Sequence, residues 1–231
     1  MFNKLLVISG PTATGKTDLA VKLAKKYNGE LVSGDSCQIY KGLDIGTGKD
    51  QPQGTPIHLI DLVTPDKKFS VADFQKIGLK TIREIQSRQK LPILVGCSGF
   101  YIDSLINPKY NTFSIKPNKL LRFISKYLSL NTLQKIYKTL DKDGFSKLNH
   151  SDINNHYRLT RKIEIQIFKK TSPFLKGRCH EVTEGFCLFD LLHISLTAPL
   201  DILYKRIDTR VNKRMEIGFL DEIKNLLKKL I

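Results

Sequence analysis

The stretch Lys4–Thr17, KLLVISGPTATGKT, decides the fold of this chain. Its first part, Lys4–Ser9, is a run of leucine and β-branched residues that leads into a Gly-Pro turn, which predicts a buried strand. Its second part, Gly10–Thr17, fits the pattern G-x-x-x-x-G-K-[ST] at every position. Apolar residues then recur at helical spacing within Lys16–Tyr27. A strand, a glycine-rich turn and an amphipathic helix in this order predict a phosphate-binding loop.

The residue types of this loop explain why it would bind phosphate. Its glycines permit a tight turn whose backbone N–H groups converge on phosphate oxygens, and the helix N-terminus adds partial positive charge. The ammonium group of Lys16 would neutralise the distal phosphate, and the Thr17 hydroxyl would ligate Mg²⁺. We therefore expect a di- or triphosphate, nucleotides such as ATP included, to contact Gly10, Pro11, Thr12, Ala13, Thr14, Gly15, Lys16 and Thr17.

Strands and helices alternate through the first part of the chain. The apolar patterns predict strands at Glu30–Ser33, Pro56–Ile60 and Pro92–Val95, and helices at Ser70–Gln89 and Gly99–Ile106. Strand character returns at Phe186–Leu196, and Pro199–Ile231 has a helical pattern with a break at Gly218. This alternation predicts an α/β fold with a parallel sheet flanked by helices.

A basic helical segment interrupts the alternation. Residues 116–178 hold 15 basic and 4 acidic side chains, a net charge of +11, whereas the whole chain carries +16. No clear strand pattern occurs from Asn118 to about Lys170. We predict an α/β core formed by 1–112 and 179–231 and a helical insertion formed by 113–178. Charge concentrated in this way favours a polyanionic partner such as a nucleic acid over an even solubilising coat.

Composition limits the class of protein. The 231 residues are 41% hydrophobic and 26% charged, as in globular proteins. The apolar runs are too short for a membrane-spanning helix, and the N-terminus does not resemble a signal peptide. We therefore expect a monomeric cytoplasmic protein that does not contact membranes. We expect free thiols at Cys37, Cys97, Cys179 and Cys187. The spacing of the last two cysteines and His180 does not match a usual zinc site.

A carboxylate expected of many P-loop enzymes is missing from its usual place. P-loop kinases and NTPases commonly use an Asp at a strand end to help hold Mg²⁺. Here the strand at Leu91–Val95 is followed by Gly-Cys-Ser-Gly. The carboxylate that does follow a strand is Asp35, and such a residue points into the ligand crevice of a parallel sheet. Asp35 could ligate a metal, act as a base, or cap the next turn.

Several segments together resemble one family, the tRNA dimethylallyltransferases, also called tRNA isopentenyl transferases. The run Asp35–Lys49, DSCQIYKGLDIGTGK, is more specific to that family than the phosphate loop. The resemblance runs from Val7 to about Leu227 and includes HLIDLVTPDKKFSVADF at 58–74, PILVGCSGFY at 92–101, RLTRKIE at 158–164 and LYKRIDTRVNKRMEIGFL at 203–220. Family members usually continue with further helices, so we expect a short, C-terminally truncated member.

The resemblance implies an activity and roles for individual residues. The implied reaction transfers a dimethylallyl group from dimethylallyl diphosphate to N6 of the adenosine next to the tRNA anticodon, and it releases diphosphate. In this reaction Thr12, Lys16 and Arg210 would contact the diphosphate. Thr17 would ligate Mg²⁺, and Asp35 would accept the proton of the attacking amine.

The resemblance also implies which residues contact the tRNA anticodon stem-loop. The basic insertion would bind its backbone, and the target adenine would leave the base stack to enter the site. The candidate contacts are Asp35, Ser36, Cys37, Gln38, Ser98, Tyr157, Arg158, Leu159, Thr160 and Arg161. Two alternatives stay open at this point. One is a P-loop kinase for a nucleoside or small metabolite, and the other is a non-catalytic RNA-binding remnant.

Overall fold

The computed structural model describes residues 3–49, 54–107, 115, 117–171 and 189–230, with side chains as far as 228. The chain divides into an α/β unit, Met1–Pro108 with Phe186–Ile231, and a helical unit, Lys109–Gly185. The boundaries predicted from sequence, at 112/113 and 178/179, lie outside the described residues. Among the helices that are described, not one combines the length and the apolar character needed to cross a bilayer.

The α/β unit is built on a parallel sheet. Its strands are β1 (Lys4–Ser9), β2 (Gly29–Ser33), β3 (Ile57–His58), β4 (Leu91–Gly96) and β5 (Asp190–Ser195). They lie in the order β3-β2-β4-β1-β5, and every pairing is parallel. This arrangement confirms the predicted fold class, a P-loop NTPase-like sheet flanked by helices.

The helices follow the periodicity of the sequence. They are α1 (Lys16–Lys26), α2 (Asp44–Thr47), α3 (Val71–Ser87), α4 (Gly99–Ile106), α5 (Lys119–Ser125), α6 (Leu130–Leu140), α7 (Lys142–Ser146), α8 (His150–Ile153), α9 (His156–Thr171), α10 (Leu200–Glu216) and α11 (Phe219–Leu230). Helices α5 to α9 belong to the helical unit, and the others belong to the α/β unit. Gly218, with a φ of 102°, separates α10 from α11, as its break in the pattern predicted.

Both faces of the sheet are covered, because successive side chains of a strand point to opposite sides. On one face Leu6 and Ile8 belong to a buried cluster with alanines of α1. On the other face Leu5 and Val7 belong to a cluster with apolar side chains of α3 and α4. The sheet is thereby held rigid beneath the loops at its carboxyl edge.

One strand is shorter than its sequence pattern predicted. The pattern indicated a strand at Pro56–Ile60, whereas β3 comprises only Ile57–His58. The reason is local backbone geometry, since Leu59 and Asp61 have φ values of 64° and 54°. A left-handed conformation cannot continue a strand, so the chain turns away after His58.

The helical unit has its own core. Leu133 and Tyr137 of α6 are buried with Leu159 and Ile163 of α9. Beside this core the carboxylate of Glu164, whose side chain is 1% exposed, accepts hydrogen bonds from the guanidinium groups of Arg122 and Arg161. Although burial opposes the charged form, these bonds lower the pKa of Glu164. The unit therefore holds a buried ion-pair network in addition to its apolar core.

Candidate active site

A cleft of about 990 Å³ lies at the carboxyl edge of the sheet, within the α/β unit. The phosphate loop follows β1, Asp35 follows β2 and Ser98 follows β4. Since the carboxyl ends of parallel strands meet at one edge, these segments converge although they are far apart in sequence. All three contribute to the lining of the cleft, and arginines of α10 complete it.

The phosphate loop adopts a tight turn that depends on its small residues. A Cβ atom on Gly10 would lie 2.2 Å from the backbone oxygen of Leu196, so no larger residue fits there. Ala13 and Gly15 have φ values of 66° and 83°. The hydroxyl of Thr14 donates to the carbonyl oxygen of Pro11 at 2.8 Å. This turn leads directly into α1, whose first N–H groups have no partner within the helix.

The charges of Asp35 and Arg210 both affect the pKa of Lys16. Burial lowers the pKa of Lys16, and the positive charge of Arg210 acts in the same direction. The negative charge of the Asp35 carboxylate opposes both effects. Cations and the Asp35 carboxylate thus line the same cleft, which suits a ligand that combines a phosphate group with a group that loses a proton.

The Asp35 carboxylate is held by two donors. Its Oδ1 accepts from the backbone N–H of Cys37 at 2.8 Å, and its Oδ2 accepts from the thiol of Cys97 at 3.4 Å. Nearby, the backbone N–H of Ser36 donates to the Ser98 hydroxyl at 3.0 Å. The carboxylate is therefore oriented, and the turns that follow β2 and β4 are connected through side chains.

Three arginines of α10 line the cleft at intervals of four residues, which places them on one face of the helix. Arg206 donates to the carbonyl oxygen of Ala13 in the phosphate loop at 3.2 Å. Arg214 donates to the carbonyl oxygen of Gly46 at 2.9 Å. Arg210 lies between them. Sequence reasoning selected only Arg210, although the helical spacing of Arg206 and Arg214 was available as a signal.

The run Asp35–Lys49, called here the family-specific run, contributes the cleft wall next to α10. Gln38 connects two parts of it, since its amide oxygen accepts from the Ser33 hydroxyl at 2.8 Å and its amide nitrogen donates to the Gly48 carbonyl at 3.2 Å. The carboxylate of Glu222 accepts from three successive backbone N–H groups at the start of α2, at 2.7 to 2.9 Å. Sequence reasoning missed Glu222, because no local pattern marks a carboxylate that caps a helix so distant in the chain.

The other predicted contacts with tRNA lie in α9 of the helical unit. The side chain of Tyr157 is exposed. Arg158 donates to Asp152 and to Ser151, each at 3.0 Å, and half of its side chain is exposed. Arg161 is more enclosed, because it bonds to the buried Glu164 and to the carbonyl oxygen of Ile115 at 2.7 Å.

Two of the predicted tRNA contacts need correction. Leu159 is fully buried and Thr160 is 4% exposed. Leu159 belongs to the core of the helical unit, and the Thr160 hydroxyl donates to the carbonyl oxygen of His156 at 2.9 Å. Their side chains stabilise this unit and are not available at its surface.

Within the described part of the chain there is no group of three or more His, Cys, Asp or Glu side chains that could hold an ion. Cys37 and Cys97 are free thiols, as expected. The other two cysteines, Cys179 and Cys187, lie outside the described residues with His180. Thr17, which was predicted to ligate Mg²⁺, lines the cleft beside Lys16.

The sequence and the structure were compared with known proteins. A family model described as IPP transferase matches residues 38–231. The tRNA dimethylallyltransferase of Carboxydothermus hydrogenoformans is 38% identical over 234 residues, covering 99% of this chain and 74% of that protein. The tRNA dimethylallyltransferase of Bacillus mycoides is 40% identical over 226 residues, covering 96% of this chain and 70% of that protein.

Solved structures agree with these relatives. The tRNA isopentenylpyrophosphate transferase of Bacillus halodurans is 37% identical with a TM-score of 0.65, over 98% of this chain and 71% of that one. A eukaryotic dimethylallyltransferase acting on tRNA is 29% identical with a TM-score of 0.83, over 98% of this chain and 56% of that one. A family match over most of the chain, together with relatives of this identity and coverage, leads to one conclusion: the chain belongs to the IPP transferase family.

Proposed function

We propose that this chain is a tRNA dimethylallyltransferase, which transfers the dimethylallyl group of dimethylallyl diphosphate to N6 of the adenosine next to the anticodon. Membership of the family supports the reaction class. The observation that carries the proposal is the position of Asp35, an oriented carboxylate in the same cleft as the phosphate loop, Lys16 and Arg210. The reaction needs a proton acceptor beside a site for diphosphate, and this cleft contains both.

The diphosphate half of the site consists of the phosphate loop and α10. Backbone N–H groups of Gly10–Thr17 and the hydroxyl of Thr12 would bind the phosphate oxygens, and Lys16 and Arg210 would neutralise their charge. As the bond between the allylic carbon and oxygen breaks, negative charge grows on the leaving diphosphate. Cations already in place stabilise that charge without reorganisation. The loop would thus hold a leaving group and transfer no phosphoryl group.

Mg²⁺ fits the donor set of this cleft. The Thr17 hydroxyl is a hard oxygen donor that lines the cleft, and Mg²⁺ is commonly held by few protein oxygens together with substrate phosphates. When bound, the ion would neutralise diphosphate charge.

The acceptor half of the site contains Asp35. The N6 lone pair forms a bond to the allylic carbon while that carbon loses diphosphate together with the bonding electron pair. The positive charge that develops on N6 is removed when Asp35 accepts one of its protons. Ser36, Gln38 and Ser98 line the same part of the cleft and would position the adenine. The orientation of the Asp35 carboxylate matters here, because the proton acceptor must lie within hydrogen-bond reach of the amine.

The helical unit would bind the tRNA backbone. We propose that the basic insertion 113–178 serves this purpose, with the α/β core of 1–112 and 179–231 performing the chemistry. Exposed Tyr157 and Arg158 are the surface contacts, and Arg161 adds positive charge next to them. Because the proposed substrate is tRNA, we place the activity in the cytoplasm, and we propose that the chain acts as a monomer.

The test is a prenyl-transfer assay with labelled dimethylallyl diphosphate, Mg²⁺ and an unmodified tRNA that carries adenosine next to its anticodon. We expect label in the tRNA and a loss of about 100-fold or more in kcat for Asp35→Asn, because general-base catalysis contributes about 10²- to 10⁴-fold. Glu84→Gln is the matched control. It makes the same change of charge at a surface carboxylate of α3 that does not line the cleft.

Other outcomes would point to the alternatives. Binding of diphosphate without transfer to tRNA, together with phosphoryl transfer from ATP to a nucleoside, would favour the kinase. Binding of tRNA that persists in Lys16→Met and Asp35→Asn, without any transfer by the unaltered chain, would favour a non-catalytic RNA-binding protein.

A further inference from the structure

The thiol of Cys97 is the only side-chain donor to Asp35 among the hydrogen bonds of the described residues. It donates to Oδ2 at 3.4 Å, whereas Oδ1 is bonded by the backbone N–H of Cys37. A backbone donor would persist with any residue other than proline at position 37. The contact with Oδ2 depends on the identity of residue 97, so it is the part of the carboxylate's environment that a substitution can remove.

The backbones that carry the two residues are packed closely. A Cβ atom on Gly96 would lie 2.4 Å from the carbonyl oxygen of Gly34. The N–H of Gly34 also donates to the carbonyl oxygen of Val95 at 2.8 Å. The turns after β2 and β4 therefore meet at backbone distance, immediately before Asp35 and Cys97. The close packing of the two turns therefore keeps Cys97 next to Asp35 in space.

The surroundings of Cys97 keep its sulfur protonated. Partial desolvation of the sulfur and the negative charge of Asp35 both raise the pKa of the Cys97 thiol. Lys16 of α1 and the hydroxyl of Ser98 act in the opposite direction and are outweighed, and Arg210 of α10 faces Lys16. Near neutral pH the group is therefore a thiol that can donate a hydrogen bond, and a thiolate, which could only repel Asp35, is disfavoured.

We propose that Cys97 is a positioning residue for Asp35, and that its thiol holds Oδ2 so that the carboxylate keeps one rotation toward the attacking amine. This role rests on the proposed prenyl transfer, in which Asp35 accepts the proton. A carboxylate that turns freely spends part of its time with its lone pairs away from the amine. Restricting that rotation raises kcat without altering the diphosphate site.

Steady-state kinetics of two variants test this role. Cys97→Ala removes the donor, and we expect kcat to fall about 3- to 10-fold with the KM for dimethylallyl diphosphate unchanged, the effect of losing one ordinary hydrogen bond. Cys97→Ser retains a donor and should recover most of kcat. Equal kcat for Cys97→Ala and the unaltered enzyme, or no recovery in Cys97→Ser, would overturn the proposal.

Thiol chemistry provides a second readout that does not depend on turnover. In Asp35→Asn the negative charge next to Cys97 is lost, so the thiol should ionise at lower pH and react faster with iodoacetamide at a given pH. The extent of alkylation at Cys97 is measured on its peptide by mass spectrometry, and the same peptide of the unaltered chain serves as the reference. An identical pH profile in both proteins would show that the contact is absent.

The two readouts distinguish the two failures. If the alkylation profile shifts but the unaltered chain transfers no prenyl group to tRNA, the contact exists, the proposed function is wrong, and the positioning role fails with it. If the chain transfers the prenyl group but the profile does not shift, the proposed function stands and only the role of Cys97 is wrong.

Discussion

Gly48 lies directly against Arg210 in the cleft wall. A Cβ atom on Gly48 would be 2.3 Å from one Nη atom of Arg210 and 2.0 Å from one of Arg214. Its φ of 62° is also unfavourable for other residues. The absence of a side chain at this position is therefore what allows the guanidinium groups of α10 to reach the wall formed by the family-specific run.

Substitution of Gly48 should impair the diphosphate half of the site. In Gly48→Ala the new methyl group displaces both guanidinium groups, and we expect kcat/KM for dimethylallyl diphosphate to fall about tenfold, the loss of roughly one charged hydrogen bond. Gly54→Ala is the matched control, since Gly54 has a φ of 76° and open space around its Cβ position. A similar kcat/KM in the two variants would mean that backbone strain, and not the arginine contact, causes the loss.

Glu222 should stabilise the same cleft wall by capping α2. Its carboxylate bonds three N–H groups at the start of α2, and in Glu222→Gln the side-chain amide has only one acceptor oxygen and brings N–H donors toward other donors. We expect a fall of about 3- to 10-fold in kcat/KM and a destabilisation of about 1–3 kcal/mol in urea unfolding.

Glu216→Gln is the control for Glu222→Gln, because Glu216 is an exposed carboxylate at the end of α10. If both variants unfolded at the same urea concentration as the unaltered chain and had the same kcat/KM, the hydrogen bonds of Glu222 to α2 would contribute neither stability nor activity.

Glu30 should make the stability of the protein depend on acid pH. Its side chain, 6% exposed, pairs with His58, Arg88 and Lys90 at 2.6 to 2.8 Å. Burial opposes the charged form, but the three hydrogen bonds prevail and lower the pKa of Glu30 to about 2 from an ordinary value of 4.5. A depressed folded-state pKa means that the stabilisation is complete above the unfolded value and is lost as pH falls toward the folded value.

Urea unfolding at a series of pH values tests this linkage. Between pH 4.5 and about 2 the unaltered chain should lose more stability than Glu30→Gln, which has no carboxylate to protonate there. At neutral pH the same variant should be less stable by about 2 kcal/mol, as hydrogen bonds between charged groups are lost. Parallel curves for the two proteins across the acid range would contradict the prediction.

Substitution of Arg158 and substitution of Arg161 should have different effects on tRNA binding and on thermal stability. Arg158→Ala removes a half-exposed cation, so we expect weaker tRNA binding with a salt dependence reduced by about one counterion, and little change in Tm. Arg161→Ala leaves the buried Glu164 with one fewer donor, so it should also destabilise the protein by about 1–3 kcal/mol. Filter binding across a salt series and thermal unfolding separate the two effects. Equal Tm values for the two variants would show that the internal bonds of Arg161 contribute no stability.

The sequence allowed the sheet and its phosphate loop to be predicted because those features are local. A motif of eight residues between a strand and a helix leaves few alternatives, and apolar periodicity located α1, α3, α4, α10 and α11 to within a few residues. The short β3 was the exception. Its end depends on the positive φ of Leu59, a residue of a type that rarely adopts this conformation and does not usually mark a turn.

The interior of the site was harder to predict for a physical reason. The contacts of Glu222 with α2 and of Arg206 with Ala13 join segments separated by 178 and 193 residues, and no local pattern encodes such pairs. The predicted tRNA contacts at 157–161 show the opposite difficulty. They are consecutive in sequence, yet a helix turns its residues to different sides, so Leu159 faces the core while Arg158 is half-exposed.

The first glycine of the phosphate loop packs against a residue that is synthesised much later. Gly10 packs against the backbone of Leu196, and Ser9 bonds to His193, 184 residues away. A ribosome adding about 5–20 residues per second needs roughly 10–40 s to span that separation. During that time β1 has at least one unpaired edge, because β5 does not yet exist. The nascent chain must therefore keep an open strand edge from aggregating without help from its substrate, whose binding can stabilise only the finished protein.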